Sequence, residues 1–407
     1  MSESFASSKE MLNYHLAKHY TDAAEAKAAG KLVCWSTAVA PIEILTAFGI
    51  TTTFPENHCA AVGARKQSLP MLELADAQGY PVDICSYTRI NFGYAEVFEN
   101  KAANMPRPDV LFACSDTCYV VIKWFEALSR KFDIPLIVID TPYNTEDQVS
   151  DRSIRYIKNQ MLTAIKRLEG ITGKAFDEDA FQMAMKYSEE TINLWAEACA
   201  YAKHTLSPMN GFDMFNYMAT VVFMRCSEIG PRLLRMWIEE LKKRVADGRG
   251  PWEDQEEKYR IFWDGIICWP YLSGILGTLK NRGINMIASN YPKLWTLLYT
   301  AGDLDSVAKA YAECSPNRSM NSNVEVVSEL VKDYNIEGVL YHSNRSCKLM
   351  CMKQFEMQRQ VSANTGTPAM SFDGDQTDPG AFSMAQFENR LQALCEMMDA
   401  RKEARHG

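Results

Sequence analysis

The sequence predicts an α/β protein: two doubly wound, mostly parallel α/β domains joined by a helical segment, with the active site in the cleft between the domains. Three observations predict it. Short apolar runs alternate with helical patterns through residues 1–146 and again through 263–407, the alternation that strand-helix-strand units produce. Between them, residues 147–262 show long helical periodicity, interrupted by the turn-rich GITGKAFDED, SPMNGFD and DGRGPWED. A chain of 407 residues, 47% of them hydrophobic, also exceeds what one ordinary core would use.

In chain order, residues 1–30 read as amphipathic helix ending at Gly30. LVCWSTAVA reads as a buried strand leading to Pro41, followed by a helical PIEILTAFG. ITTTFPE is β-branched and stops at Pro55; a helical stretch to Gly79 follows. VDIC is read as a strand before a helix from Asn91, DVLFAC as a strand before a helix from Cys118 to Phe132, and PLIVID as a further strand. After the helical segment, GIICWPY and GINMIAS are read as strands, each before a helix. EGVLYHSN precedes the helix after Cys347, and TPAMSFDGD precedes the last helix. The second half thus resembles the first in architecture, without a residue-level repeat.

Composition excludes several functions. A formal charge of −8, with no dense Lys/Arg run, argues against a nucleic-acid surface. No stretch has the apolar length of a membrane span, and MSESFASSKEMLNYHLAKHY lacks a signal-peptide core, so a soluble, cytoplasmic protein is expected. Reduced thiols are expected of the 12 scattered cysteines. Neither GxGxxG nor GxxxxGK[ST] occurs, so any ATP is used by another protein.

The cysteines are the best candidates for chemistry. No CxxC pair is present, and the pairs Cys114/Cys118 and Cys347/Cys351 are four residues apart, one face of a helix. Cys34, Cys59, Cys199, Cys226, Cys268, Cys314, Cys351 and Cys395 sit in apolar or helical settings that suit small packed side chains; Cys114 is open to either use. Cys85, Cys118 and Cys347 each follow a short apolar run read as a strand. Each is open to two readings, a packed thiol or a ligand, but their common position would let them converge where α/β folds place ligands. Three ligands would leave one iron of a cluster open to a substrate oxygen. Ser36, at the end of the first strand, could hydrogen-bond that oxygen or cap a turn. Glu56, in FPENH, could be a general acid or base or a solvated charge. His58 and His342 fit no zinc spacing, and the acidic FDGDQTDP lacks the full calcium-loop pattern and marks a turn.

At these residues the sequence resembles the 2-hydroxyacyl-CoA dehydratases, specifically their α subunits. The likeness is carried by VCWSTAVAP, FPENHCAAVGARK, VDICSYTRINFGY, CYVVIKWFE, IPLIVIDTPYN, LSPMNGFDMFNYMA, IICWPYL, YHSNRSCKLM and SFDGDQTDP, in the expected order along most of the chain. ACSDTC stands where CCNNIC is frequent in the family, with both cysteines present. The resemblance implies a heterodimer with a homologous β subunit, oxygen-sensitive [4Fe-4S] clusters, and reduction by a separate ATP-hydrolysing iron-sulfur activator. By motif position, Cys85, Cys118 and Cys347 would bind this subunit's cluster, leaving a fourth, exchangeable site for water or the thioester carbonyl, which Ser36 would contact. The implied reaction dehydrates an (R)-2-hydroxyacyl-CoA to the (E)-2-enoyl-CoA: one added electron makes a ketyl radical anion, which expels the hydroxyl and acidifies the β-hydrogen, and the electron then returns. Two alternatives stay open, an ATP-coupled reductase of CoA thioesters and a cluster-free structural subunit.

Overall fold

The computed structural model describes residues 4–406. Its strands are β1 (Val33–Ser36), β2 (Thr51–Thr53), β3 (Val110–Cys114), β4 (Leu136–Ile139), β5 (Tyr259–Asp264), β6 (Ile284–Ser289), β7 (Gly338–Asn344) and β8 (Ala369–Gly374). They form two four-stranded, wholly parallel sheets, ordered β2-β1-β3-β4 and β6-β5-β7-β8. The two orders are the same, so β1 corresponds to β5 and β3 to β7. In each sheet the chain steps to one side of its first strand and then crosses to the other. The switch point therefore lies between β1 and β3, and again between β5 and β7, and open α/β sheets bind ligands at the carboxyl ends there.

Most of these strands are buried along their length because helices cover the sheets. VCWS and VLFAC are continuous apolar runs for that reason. Between the sheets run the helices Asp151–Thr172, Glu178–Ala200, Gly211–Ala219 and Ile229–Ala246. One cluster of buried side chains includes Phe112 of β3, Trp195 of a connecting helix and Val339 of β7; another joins Trp35 of β1 to Trp263 of β5. The core is thus shared across the cleft, and the two sheets are held in fixed relation. At its centre Arg225 and Glu43 form a buried pair at 3.0 Å, with Ser188 and Tyr299 also donating to Glu43 Oε1 and Ala40 O accepting from Arg225 Nη2. No helix among the described residues is long and apolar enough to cross a membrane.

Two elements differ from the sequence reading. VDIC is not a strand: Ile84 N–H closes a turn on Pro81 O, and Val82 is 70% exposed. Pro81 starts that turn, and too little apolar chain remains for a sheet position. GIICWPY is likewise not a strand. Gly265, at φ +103°, ends β5, and Trp269–Tyr271 form a single 3-10 turn. The strand is YRIFWD just before it, disguised by the charge of Arg260. That charge is tolerated in a buried strand because Glu257 Oε1, at 2.6 Å, and Ala202 O, at 2.8 Å, accept from its guanidinium.

Candidate active site

The three cysteines share one local role. Cys85 is the N-cap of helix Ser86–Val97, Cys118 of helix Tyr119–Phe132, and Cys347 of helix Lys348–Thr365. A helix start has unpaired N–H groups and the positive end of the helix dipole, so a thiolate or an anionic group is favoured there. Val120 N–H already donates to Cys118 Sγ at 3.4 Å. Cys118 follows β3 and Cys347 follows its counterpart β7, so the two come from equivalent switch points. Cys85 follows a turn instead of a strand, and its helix start is brought to the others by packing.

That packing is specific. Ser86 N–H donates to Ser346 Oγ at 3.1 Å, tying the residue after Cys85 to the residue before Cys347. Thr377 Oγ1 donates to Ser86 Oγ at 2.7 Å, and Gln376 Nε2 to Cys85 Sγ at 3.4 Å. Asp375 accepts from Ser346 Oγ, and its Oδ1 accepts from the N–H groups of Thr377 and Asp378 at 2.8 Å each. The acidic loop is thus a structural turn that seats the cysteine loops. Its role in seating Cys85 was not legible in the sequence, since its partners lie nearly three hundred residues away.

Burial pushes Cys85 up to about 12, against the backbone N–H groups of Thr88 and Tyr87, which favour the thiolate; the charge of Cys118 raises it further. Burial likewise raises Cys118 and Cys347, and Cys347 also feels the charges of Cys85 and Cys118. The three sulfurs therefore lie within electrostatic reach of one another. Among the described residues no three His, Cys, Asp or Glu side chains close around a single metal ion. Thiols at three helix starts are the donor type that a polynuclear iron-sulfur group takes, one sulfur to each iron.

Glu56 lies in the first turn of helix Pro55–Ala64, and its Oε2 accepts from Ala38 N–H at 2.7 Å just beyond β1. Burial pushes its carboxyl up to about 7, against the pull of that N–H. It lines a cavity of about 720 Å³, and its charge is felt by Cys118. Ser36 is fully buried at the end of β1, and its Oγ donates to Thr37 O at 3.0 Å.

Sequence reasoning missed two further groups. Tyr291, just past β6, lines the cavity and feels the charges of Glu56, Cys347 and Cys85. An aromatic directly after a strand (IASNYP) was the available signal. Asp116, between Cys114 and Cys118, is buried, and burial pushes its carboxyl up to about 8, against the pull of the Cys114 thiol, Thr117 N–H and the Cys314 thiol. The histidines are not ligands in this arrangement. His58 Nε2 pairs with Ala103 O at 3.0 Å, and His342 stacks on Phe372 at 5.1 Å; burial lowers both to about 4.

A family model described as 2-hydroxyglutaryl-CoA dehydratase, D-component, matches residues 37–398. The (R)-2-hydroxyisocaproyl-CoA dehydratase alpha subunit of Clostridioides difficile is 44% identical, over 98% of this chain and 97% of its own. The (R)-phenyllactyl-CoA dehydratase alpha subunit of Clostridium sporogenes is 40% identical, over 95% and 97%. The lactoyl-CoA dehydratase subunit alpha of Anaerotignum propionicum is 39% identical, over 96% of each.

Proposed function

Because the chain belongs to the 2-hydroxyglutaryl-CoA dehydratase D-component family, we propose that it is the α-type subunit of an (R)-2-hydroxyacyl-CoA dehydratase, a hydro-lyase that releases water and the (E)-2-enoyl-CoA. The observation that carries this reading is the placement of Cys85, Cys118 and Cys347 each at the start of its own helix, with the loops of Cys85 and Cys347 tied by the hydrogen bond from Ser86 N–H to Ser346 Oγ. These thiols would hold a [4Fe-4S] cluster with one exchangeable site. Such a cluster supplies a Lewis-acidic iron and a single electron, which make a ketyl radical of the substrate accessible.

The protein's own residues then divide the remaining work. The helix N–H groups behind each thiolate stabilise negative charge, which lowers the cost of adding an electron nearby. Ser36 donates to the reacting oxygen once its hydroxyl turns from Thr37 O. Glu56, poised near 7, moves a proton between the β-carbon and the departing hydroxyl, a role that needs a carboxyl titrating close to the working pH. Tyr291 and the walls around it keep bulk water from the radical. A homologous β subunit completes the enzyme, and a separate ATP-hydrolysing iron-sulfur activator supplies the first electron, since this chain has no phosphate-binding loop.

The test is iron and acid-labile sulfide content, with electron paramagnetic resonance after reduction, on anaerobically co-purified wild type and the Cys85→Ala, Cys118→Ala and Cys347→Ala variants. Each substitution is expected to remove or degrade a four-iron cluster. Iron-free wild type, or a cluster indifferent to all three changes, would overturn the site. Electron stoichiometry separates the reductase alternative: catalytic electrons with net loss of water support the lyase, and one-for-one electron consumption sinks it.

A further inference from the structure

Two buried carboxamides stand at the carboxyl ends of β7 and β8, beside the cysteine loops. Gln376 is wholly buried; its carbonyl accepts from Trp269 N–H at 2.9 Å, and its Nε2 donates to Cys85 Sγ at 3.4 Å. A thiolate only accepts, so the amino end of the amide is the end that must face it. Asn344 closes β7, and its carbonyl accepts from Cys347 N–H at 3.2 Å in the turn that carries that cysteine. Asn344 is wholly buried too, yet neither its Oδ1 nor its Nδ2 has a hydrogen-bond partner among the described residues. Other buried asparagines are paired: Asn290 Nδ2 donates to Asp264 Oδ2 at 2.7 Å, and Asn317 Nδ2 to Pro142 O at 2.9 Å and Ala312 O at 3.0 Å. An amide left unpaired away from water carries its whole desolvation cost. Strand geometry fixes the side to which this one points. Alternate residues share a face, so Asn344 goes with His342 and Leu340. Leu340 belongs to the buried cluster against which Cys85 and Cys118 pack, whereas Val339 and Tyr341 belong to the other. Gly374, paired with Asn344 in the sheet, faces the same way, since a Cβ there would come within 2.6 Å of His342 Nε2.

We propose that Gln376 and Asn344 are N–H donors to the iron-sulfur group that Cys85, Cys118 and Cys347 would hold, Gln376 at the Cys85 thiolate and Asn344 on the Cys347 side, and that they raise its reduction potential. The proposal rests on the cluster-binding part of the dehydratase reading. An added electron puts more negative charge on the sulfurs, so a donor aimed at them favours the reduced form over the oxidised one. For Asn344 the same contact supplies the partner that the protein itself withholds. Both amides act through the group and touch no substrate, which makes them positioning residues.

The experiment is a potentiometric titration of the anaerobically co-purified complex carrying Gln376→Met or Asn344→Leu, read by electron paramagnetic resonance, with iron measured on the same samples. The signal followed is the one that Cys118→Ala abolishes, which assigns it to this chain. Each variant is expected to keep its iron and to titrate at a lower potential: at the wild-type midpoint the oxidised form should exceed the reduced about tenfold, a shift of about 59 mV for one electron. A ratio changed less than about threefold at full iron content overturns the assignment of that residue, and in both variants it overturns the proposal while leaving the dehydratase reading intact. Iron-free wild type overturns both. Where a variant loses its iron, Gln376→Glu or Asn344→Asp, which keeps the shape and loses the N–H donors, is titrated in its place. A cluster lost from all four variants makes the two amides structural supports and overturns the tuning role.

Discussion

Glu56→Gln isolates the consequence of burying a carboxyl beside the cysteines. In the folded protein burial raises this carboxyl from an ordinary value of 4.5 to about 7. A carboxyl whose folded value lies above its unfolded one costs nothing below about pH 4, where both states are protonated, and costs progressively more as pH rises through 7. The full shift corresponds to about 3 kcal/mol at pH 8. The side chain opens partly on the cavity, and water there reduces this to about 2 kcal/mol. Glutamine keeps the hydrogen bond from Ala38 N–H and removes the charge. The variant should therefore be about 2 kcal/mol more stable than wild type at pH 8 and about half a kcal/mol more stable at pH 5. In a protein of this size the pH 8 gain is a rise of about 2 °C in Tm. The same change should lower kcat by about 10² to 10⁴. Anaerobic thermal unfolding at the two pH values is the assay. A variant no more stable than wild type at pH 8, or equally stabilised at pH 5, would refute the argument that Glu56 is held desolvated in the native state.

Three further substitutions probe the supports of the site. Ser346→Ala removes the acceptor of Ser86 N–H and the donor to Asp375; it should cost about 1 to 2 kcal/mol and speed loss of iron to a chelator, and unchanged release kinetics would count against a positioning role. Gly93→Ala would bring its Cβ to 2.0 Å from Met71 O, where helix Ser86–Val97 touches helix Ser68–Ala77. A backbone atom cannot yield as a side chain can, so a loss of about 3 kcal/mol is expected in urea unfolding. Arg225→Met strands the buried Glu43 charge and should cost about 3 to 5 kcal/mol, part of which Glu43→Gln in the same chain restores; a double variant no better than the single would show that packing, not charge, is what Arg225 supplies.

The cysteine positions were legible because a strand, a loop and a helix start leave a local trace. Cys118 and Cys347 follow apolar β-rich runs, and the helix begins at the next residue. Cys85 was picked out for a wrong reason, since VDIC only looks like a strand, and its helix begins at Ser86 instead of the Asn91 that the sequence suggested. The strand YRIFWD was misread because an arginine in a buried strand is acceptable only when partners such as Glu257 and Ala202 O arrive from elsewhere.

By itself the sequence determined the α/β class and the family and singled out the candidate site residues, because periodicity, turn residues and motifs act over a few positions of chain. Only the tertiary structure decided what those residues meet. The tie from Ser86 to Ser346 spans 260 residues, the seat of Cys85 is built by Gln376 from the opposite end of the chain, and the raised carboxyl of Glu56 comes from the protein packed around it. Hydrogen bonding and desolvation depend on neighbours in space, and the contacts that set them form when the two sheets and the helices between them pack together.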